Sequence, residues 1–126
     1  MTKKIMVVDD EPDILFTVGQ MLELSGYDVI RAVDGKDSLN KLCDVVPDLV
    51  LLDIMMPEMS GWDVAARIKQ NPKWSGIPIV FLTAKGDAMS KGMGNMAAED
   101  YITKPFDIKD LKNRVEKILD KVRKMN

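Results

Sequence analysis

Short runs of apolar residues recur along the chain at the length of β-strands. Their largely continuous apolar character, without a regular alternation of polar positions, is typical of strands covered on both faces, as in a parallel sheet. Four runs are clear and the last is short: residues 5–8, 29–32, 49–52, 79–82 and 101–102. The pattern therefore predicts five strands.

The segments between these runs carry apolar residues three or four positions apart, which is helical spacing. The first predicted helix has a stripe from Ile14 to Leu24. Pro12 lies in its first turn, and Gly26 follows as its C-terminal cap. Similar stripes predict a second helix after residue 35, a third that ends by residues 71–72, a fourth within residues 87–99 and a fifth over residues 108–122. This alternation predicts an α/β fold of five βα units, a doubly wound parallel sheet with helices on both faces.

Length and composition fit a single domain over residues 1–126. Hydrophobic residues make up 46% of the chain and charged residues 30%, which is enough for an apolar core and too little charge excess for disorder. The net charge of −2 argues against direct nucleic-acid binding by bulk attraction. With no histidine and one cysteine, Cys43, the chain lacks the residues for an internal disulfide, a Cys/His zinc site or histidine-based catalysis.

The N-terminus and the length of the apolar runs indicate the cellular location of the protein. Carboxylates follow only four apolar residues near the N-terminus, where a signal peptide needs about 7–15. The longest uninterrupted apolar runs hold about four or five residues, far fewer than the ~20 that span a bilayer. We therefore expect a cytoplasmic protein with no membrane insertion.

Unusual polar residues follow the predicted strands. Asp9 and Asp10 come after the first strand and Asp53 after the third. Thr83 follows the fourth strand and Lys104 the fifth. The carboxyl ends of parallel strands share one edge of the sheet, so these side chains are expected to converge. Three clustered carboxylates repel one another unless a cation neutralises them, and all-oxygen ligands suit Mg²⁺.

A pocket of this composition has the parts needed for phosphoryl transfer. The three carboxylates, Mg²⁺ and Lys104 sum to zero charge, and phosphoryl transfer depends mainly on positioning and charge stabilisation. Asp53 would be the nucleophile and would form an aspartyl phosphate. An alternative is that Asp9, Asp10 and Asp53 only cap helices or turns, which is common for carboxylates after strands.

Four motifs, in order and at familiar spacing, carry a resemblance to one family. They are Val7-Val8-Asp9-Asp10-Glu11, Leu52-Asp53-Ile54-Met55-Met56-Pro57 with Gly61, Thr83-Ala84, and Lys104-Pro105-Phe106. Together they resemble the response regulator receiver domain of two-component signalling, over the whole chain. The resemblance implies a flavodoxin-like sheet with strand order 2-1-3-4-5.

The resemblance also implies an acceptor and a metal site. Asp53 would accept a phosphoryl group from a partner histidine kinase or a histidine phosphotransfer protein. Asp10, Asp53 and the backbone carbonyl of Met55 would ligate Mg²⁺, with Asp9 acting through water.

The remaining implied roles concern the phosphoryl oxygens, the switch and hydrolysis. Thr83 and Lys104 would bind the phosphoryl oxygens, and Tyr101 would be the switch aromatic that turns inward when Thr83 moves. Met55 and Lys85 occupy positions that tune hydrolysis, and an apolar Met55 predicts slow loss of the phosphate. The output would be altered binding of a downstream protein target through the fourth helix, fifth strand and fifth helix. The chain would act as a monomer or a weak phosphorylation-dependent dimer.

Two local features complete the resemblance. Lys104-Pro105 looks like the cis peptide of the family, although sequence alone does not give the isomer. Residues 96–100 depart from the family pattern, because Ala97 stands where glycine is usual. The departure predicts a strained or rebuilt turn and a short fourth helix.

Other classes of function stay open at this point. A phosphatase with an aspartyl nucleophile needs a second acid two residues after the nucleophile, where this chain has Met55. A nucleotide or flavin binder needs glycines or hydroxyls after the first strand, where this chain has acids that repel phosphate. The sequence is also compatible with a receiver domain cut from a longer protein.

Overall fold

The computed structural model of the chain describes residues 2–84 and 98–125. The elements in these residues are β1 (Lys4–Val8), α1 (Pro12–Leu24), β2 (Asp28–Ala32), α2 (Gly35–Leu42), β3 (Leu49–Asp53), α3 (Gly61–Gln70), β4 (Ile79–Ala84), β5 (Asp100–Lys104) and α4 (Ile108–Met125). The five strands form one parallel sheet in the order β2-β1-β3-β4-β5. The predicted fold class and strand order are confirmed.

The apolar runs located every strand, and the structure extends each strand into its flanking residues. The largest change is at β5, predicted over residues 101–102, because Asp100 and Lys104 pair in register with Val80 and Ala84 of β4. Backbone pairing, which leaves no trace in side-chain polarity, sets these ends. The predicted fifth helix is α4. Residues 87–97 of the predicted fourth helix, including Ala97, lie outside the described residues.

Each face of the sheet carries its own apolar core, and this explains the continuous apolar runs. Met6 and Leu52 pack on one face with buried residues of α2 and α3. Their sequence neighbours, Ile5 and Leu51, pack on the other face with buried residues of α1 and α4. Successive residues of a strand point to opposite faces, so both must be apolar in a three-layer domain.

The end of α1 follows the predicted cap. Gly26 has a φ of 97°, in the left-handed region that glycine adopts without steric cost. The Gly26 N–H donates to the Glu23 carbonyl over 3.1 Å, and the Tyr27 N–H donates to the Leu22 carbonyl over 3.0 Å. This pair of bonds is a Schellman motif, which satisfies the last carbonyls of the helix and turns the chain into β2.

The start of α3 is packed against the end of β3. Ser60 and Asp63 form a capping box, and the Gly61 N–H donates to the Ile54 carbonyl over 2.8 Å. A Cβ at position 61 would overlap the Asp53 carbonyl oxygen and lie 2.8 Å from the Ile54 Cα. Glycine is therefore required here by close backbone approach, and this contact fixes the backbone that carries Asp53.

Candidate functional site

The polar residues singled out in the sequence meet at the carboxyl edge of the sheet. Asp9 follows β1 and is fully buried, whereas its neighbour Asp10 is exposed. Asp53 is the last residue of β3 and is 4% exposed. One carboxylate oxygen from each of the three lies within 4.8 Å of the others. The structure therefore brings Asp53 close to the adjacent pair Asp9 and Asp10, which precede it by 44 and 43 residues.

Lys104, the last residue of β5, reaches across the edge to this cluster. Its Nζ lies 2.9 Å from Asp9 Oδ2, 3.1 Å from Glu11 Oε1 and 3.6 Å from Asp53 Oδ1. Burial works against the charged ammonium, but the hydrogen bond and charge of Asp9, the charge of Asp53 and the hydrogen bond of Glu11 outweigh it and raise the pKa of Lys104. The amine is therefore a cation at any physiological pH.

Asp53 is the carboxyl group whose protonation is most perturbed by the pocket. Burial is the largest cause and Asp9 the next; the charge of Lys104 opposes them, and the hydrogen bond and charge of Asp10 add to them. Together they raise the pKa of Asp53 to about 7. Without a cation, Asp53 is thus partly protonated near neutral pH, and a bound cation would restore the carboxylate.

The turn after β3 contacts the Asp53 side chain through one backbone group and bonds to β4 through another. The Met55 N–H donates to Asp53 Oδ1 over 3.3 Å, and the Ile54 N–H donates to the Leu82 carbonyl over 3.2 Å. Met55 is 61% exposed and belongs to neither apolar core. Position 55 carries no acid that could serve as the second carboxylate of an aspartyl phosphatase.

Thr83 is a buried polar residue on β4, the strand paired with β3. Its Oγ1 has no hydrogen-bond partner among the residues that the structure describes. A buried hydroxyl without a partner costs free energy, so this site favours an arriving acceptor. Lys85, two residues further on, lies outside the described ranges.

Aromatic side chains line one face of the sheet below Thr83. The half-buried Tyr101 stacks on Phe81 with ring centroids 5.6 Å apart, and Phe81 also contacts Trp62, at 4.7 Å. Phe81 and Tyr101 are register partners across β4 and β5, as are Thr83 and Thr103 two residues later. The Lys104-Pro105 peptide after β5 is cis, as the resemblance implies.

One contact was not anticipated from the sequence. Glu11 was noted only as part of the acidic motif, yet its carboxylate reaches Lys104 from 93 residues away. Its place directly after Asp9-Asp10 was the available signal, but an exposed glutamate at the start of a helix is ordinary.

Comparison with known proteins decides the family. The model of the response regulator receiver domain matches residues 5–116. The chain belongs to this family. Receiver domains of response regulators take part in phosphorylation-dependent signalling and are signalling domains rather than ordinary enzymes.

Individual relatives agree with this assignment. The chain is 43% identical over 120 residues to the alkaline phosphatase synthesis transcriptional regulatory protein PhoP of Bacillus subtilis, which covers 94% of this chain and 49% of PhoP. It spans about half the length of this and similar regulators.

Two solved receiver structures share the fold. A CheY-like receiver domain protein from Methanospirillum hungatei matches with a TM-score of 0.91 at 29% identity, covering 100% of both chains. The response regulator TrrA from Thermotoga maritima, solved in complex with Mg²⁺-BeF, matches with a TM-score of 0.81 at 38% identity, covering 92% of this receiver and 98% of TrrA. Within residues 2–84 and 98–125 no helix has the length and apolarity to cross a membrane.

Proposed function

We propose that this receiver accepts a phosphoryl group on Asp53 from a phosphohistidine of a histidine kinase or a histidine phosphotransfer protein. An Asp53 carboxylate oxygen would form the new P–O bond as the P–N bond to histidine breaks, and the leaving imidazole nitrogen keeps the electron pair. The observation that carries the proposal is the position of Asp53, nearly buried at the end of β3 between two carboxylates and a lysine. Asp9 is also buried after a strand, but one of its oxygens is paired with Lys104 at 2.9 Å and the other accepts the Glu11 backbone N–H at 2.9 Å.

The donor set fits Mg²⁺. Three carboxylates within 4.8 Å of one another carry more negative charge than Lys104 offsets, and hard oxygen ligands suit this ion. Asp10, Asp53 and the Met55 carbonyl would hold it. Asp9 already forms an ion pair with Lys104 at 2.9 Å, which supports an indirect role for Asp9 in metal binding, through water. When bound, Mg²⁺ supplies charge neutralisation for the transferring phosphoryl group.

Thr83 and Lys104 would receive the phosphoryl oxygens. Thr83 offers a buried hydroxyl with no partner in the described residues, and Lys104 offers an ammonium 3.6 Å from Asp53 Oδ1. Both groups would gain contacts when Asp53 is phosphorylated. A switch needs contacts of this kind, which differ between its two states.

The output would follow from the same contacts. Movement of Thr83 toward the phosphoryl group would let Tyr101 turn inward, changing a surface of the predicted fourth helix, β5 and α4. That surface would bind a downstream protein target. We expect the receiver to be cytoplasmic, with residues 1–126 forming a single domain. It would act as a monomer or a weak phosphorylation-dependent dimer. The balanced net charge of −2 supports a protein target over direct binding to nucleic acid.

We further propose that the phosphorylated state is long-lived. Met55 is exposed, its backbone N–H contacts Asp53, and its side chain has no group that orients a water molecule. Lys85 is the second position that would tune this step. Met55→Asn should speed the decay of the aspartyl phosphate several-fold, read as loss of label over time. Decay no faster than in the wild type would remove Met55 as the gate.

Labelling with a small phosphodonor tests the acceptor. With acetyl phosphate and Mg²⁺, the wild type should take up at most one phosphoryl group per chain, whereas Asp53→Asn should take up none. Asp44→Asn is the matched control, because Asp44 is exposed and makes no ion pair within the described residues. Turnover far beyond one equivalent would favour a phosphatase, and equal uptake in excess chelator would contradict the Mg²⁺ site.

A further inference from the structure

The ammonium of Lys104 already lies close to several carboxylates. A lysine has three N–H donors, and three carboxylates surround this one in the described residues, from Asp9, Glu11 and Asp53. Its side chain is 15% exposed, which leaves little access for water. Asp9 and Glu11 hold the ammonium at 2.9 and 3.1 Å, closer than Asp53 Oδ1 at 3.6 Å, so a phosphoryl oxygen on Asp53 would compete with these two carboxylates for Lys104.

Burial decides which carboxylate gives way. Asp9 is completely buried, and its Oδ1 also accepts the Glu11 backbone N–H over 2.9 Å. Losing Lys104 would leave a buried charge unpaired, which is strongly unfavourable. The Glu11 side chain is 59% exposed and can be rehydrated at once, so its ion pair costs little to break.

The Glu11 side chain has no other fixed role in the described structure. Glu11 is the N-cap residue of α1, but its side chain makes no capping hydrogen bond there. The Glu11 backbone starts the helix instead, since its carbonyl accepts from the N–H groups of Ile14 and Leu15 at 3.1 and 3.2 Å. The carboxylate instead bridges to Lys104 at the far end of the sheet edge.

We propose that Glu11 is a positioning residue that holds Lys104 in the unphosphorylated receiver and competes with the phosphoryl group for its ammonium. This inference rests on the proposed phosphorylation of Asp53 and adds a regulating contact to it. Glu11 thereby lowers the occupancy of the phosphorylated or phosphoryl-like state at a given donor level. The contact also ties the start of α1 to the end of β5 until Asp53 is modified.

Binding of beryllium fluoride, a non-covalent stand-in for the phosphoryl group, tests the competition without any turnover. Titration calorimetry in saturating Mg²⁺ would compare the wild type with Glu11→Gln and Glu11→Asp. An exposed ion pair of this kind is worth little, so both variants should bind the analogue about two- to fivefold more tightly. Glu11→Asp is the decisive variant, because it keeps the charge but is one methylene too short to reach Lys104 in the same geometry.

The control and the contrary results are distinct. Asp13→Asn removes one negative charge two residues after Glu11, in the exposed first turn of α1, where Asp13 has no ion pair within the described ranges, and should bind like the wild type. If Glu11→Gln binds beryllium fluoride no more tightly than the wild type, Glu11 does not compete for Lys104. If Glu11→Asp binds it like the wild type while Glu11→Gln binds more tightly, the effect is general charge repulsion, and the proposed contact is also overturned. A fivefold loss of Mg²⁺ affinity in Glu11→Gln would make Glu11 a metal ligand and also overturn it. Failure of the wild type to bind, or equal binding by Asp53→Asn, would instead contradict the proposed function.

Discussion

The pocket has two halves that differ in how firmly their groups are held. On the β1–β3 half, Asp9 and Asp53 stand at the ends of central strands whose other residues are almost entirely buried. On the β4–β5 half, Thr83 has an unpartnered hydroxyl in the described structure, Lys104 is shared among three carboxylates, and β5 is a half-exposed edge strand. We infer that the first half is a rigid frame for the acceptor, whereas the second half holds the contacts that change.

The largest effect should come from disturbing the rigid half. Gly61→Ala should lower the free energy of unfolding by about 3 kcal/mol, because a Cβ there overlaps the Asp53 carbonyl oxygen. Gly76→Ala is the matched control, since a Cβ at that position meets nothing within 4 Å, and should change stability by less than about 0.5 kcal/mol. Urea denaturation of both variants gives the comparison, and equal losses would mean that the close approach at Gly61 is not rigid.

Removal of Asp10 should sharpen the assignment of the metal ligands. Asp10→Ala should weaken Mg²⁺ binding by about tenfold or more, since it deletes a proposed direct ligand. Asp9→Ala should weaken binding less, because Asp9 is paired with Lys104 and would act through water. Calorimetric titration with Mg²⁺ measures both variants, and the reverse order of the two losses would contradict this division.

The pocket should also make the Mg²⁺-free receiver sensitive to pH. The pKa of Asp53 is raised from 3.8 to about 7, so the folded state binds more protons than the unfolded state between these values. Stability contributed by this group is therefore lost as pH rises through that window. At pH 8 in chelator, Asp53→Asn should be more stable than the wild type by about 1–2 kcal/mol, and the gap should shrink toward pH 4.

Denaturant unfolding at the two pH values checks this difference. Added Mg²⁺ should narrow the difference in free energy of unfolding between the two proteins at pH 8. The cation would stabilise the Asp53 carboxylate of the wild type, whereas the asparagine variant lacks this charged ligand. A gap that is independent of both pH and Mg²⁺ would show that Asp53 carries no unusual electrostatic cost.

The smallest effect is expected at Thr83. Thr83→Val replaces a hydroxyl that has no partner in the described residues with a methyl of similar size, so the free energy of unfolding should stay the same or rise by up to about 1 kcal/mol. The variant should still accept phosphate but lose the phosphorylation-dependent gain in target binding. A loss of stability beyond about 1 kcal/mol would mean that the hydroxyl is already bonded in the unphosphorylated state.

The sequence predicted the rigid half better than the other half. Apolar runs place the centres of β1 and β3, and a carboxylate directly after such a run must lie at the edge of the sheet. The ends of β5 could not be predicted, because Asp100 and Lys104 are polar and only their pairing with β4 defines them. The contact of Lys104 with Glu11 depends on the fold bringing together residues that are 93 positions apart.

Local packing explains two other omissions. Gly61 belonged to a recognised motif, but its reason, the backbone of Asp53 and Ile54 lying against it, is visible only in three dimensions. The ring contacts of Phe81 with Trp62 and Tyr101 join three separate elements whose aromatic residues carry no pairing signal in the sequence.

Mapping the site of phosphorylation by mass spectrometry tests the central claim most directly. The receiver would be treated with acetyl phosphate and Mg²⁺, and the acyl phosphate trapped by borohydride reduction before digestion. We predict one modified residue per chain, at Asp53, with none in Asp53→Asn and an unchanged yield in Asp44→Asn. Modification at Asp9, Asp10 or any other residue of the wild type, with Asp53 untouched, would contradict the account.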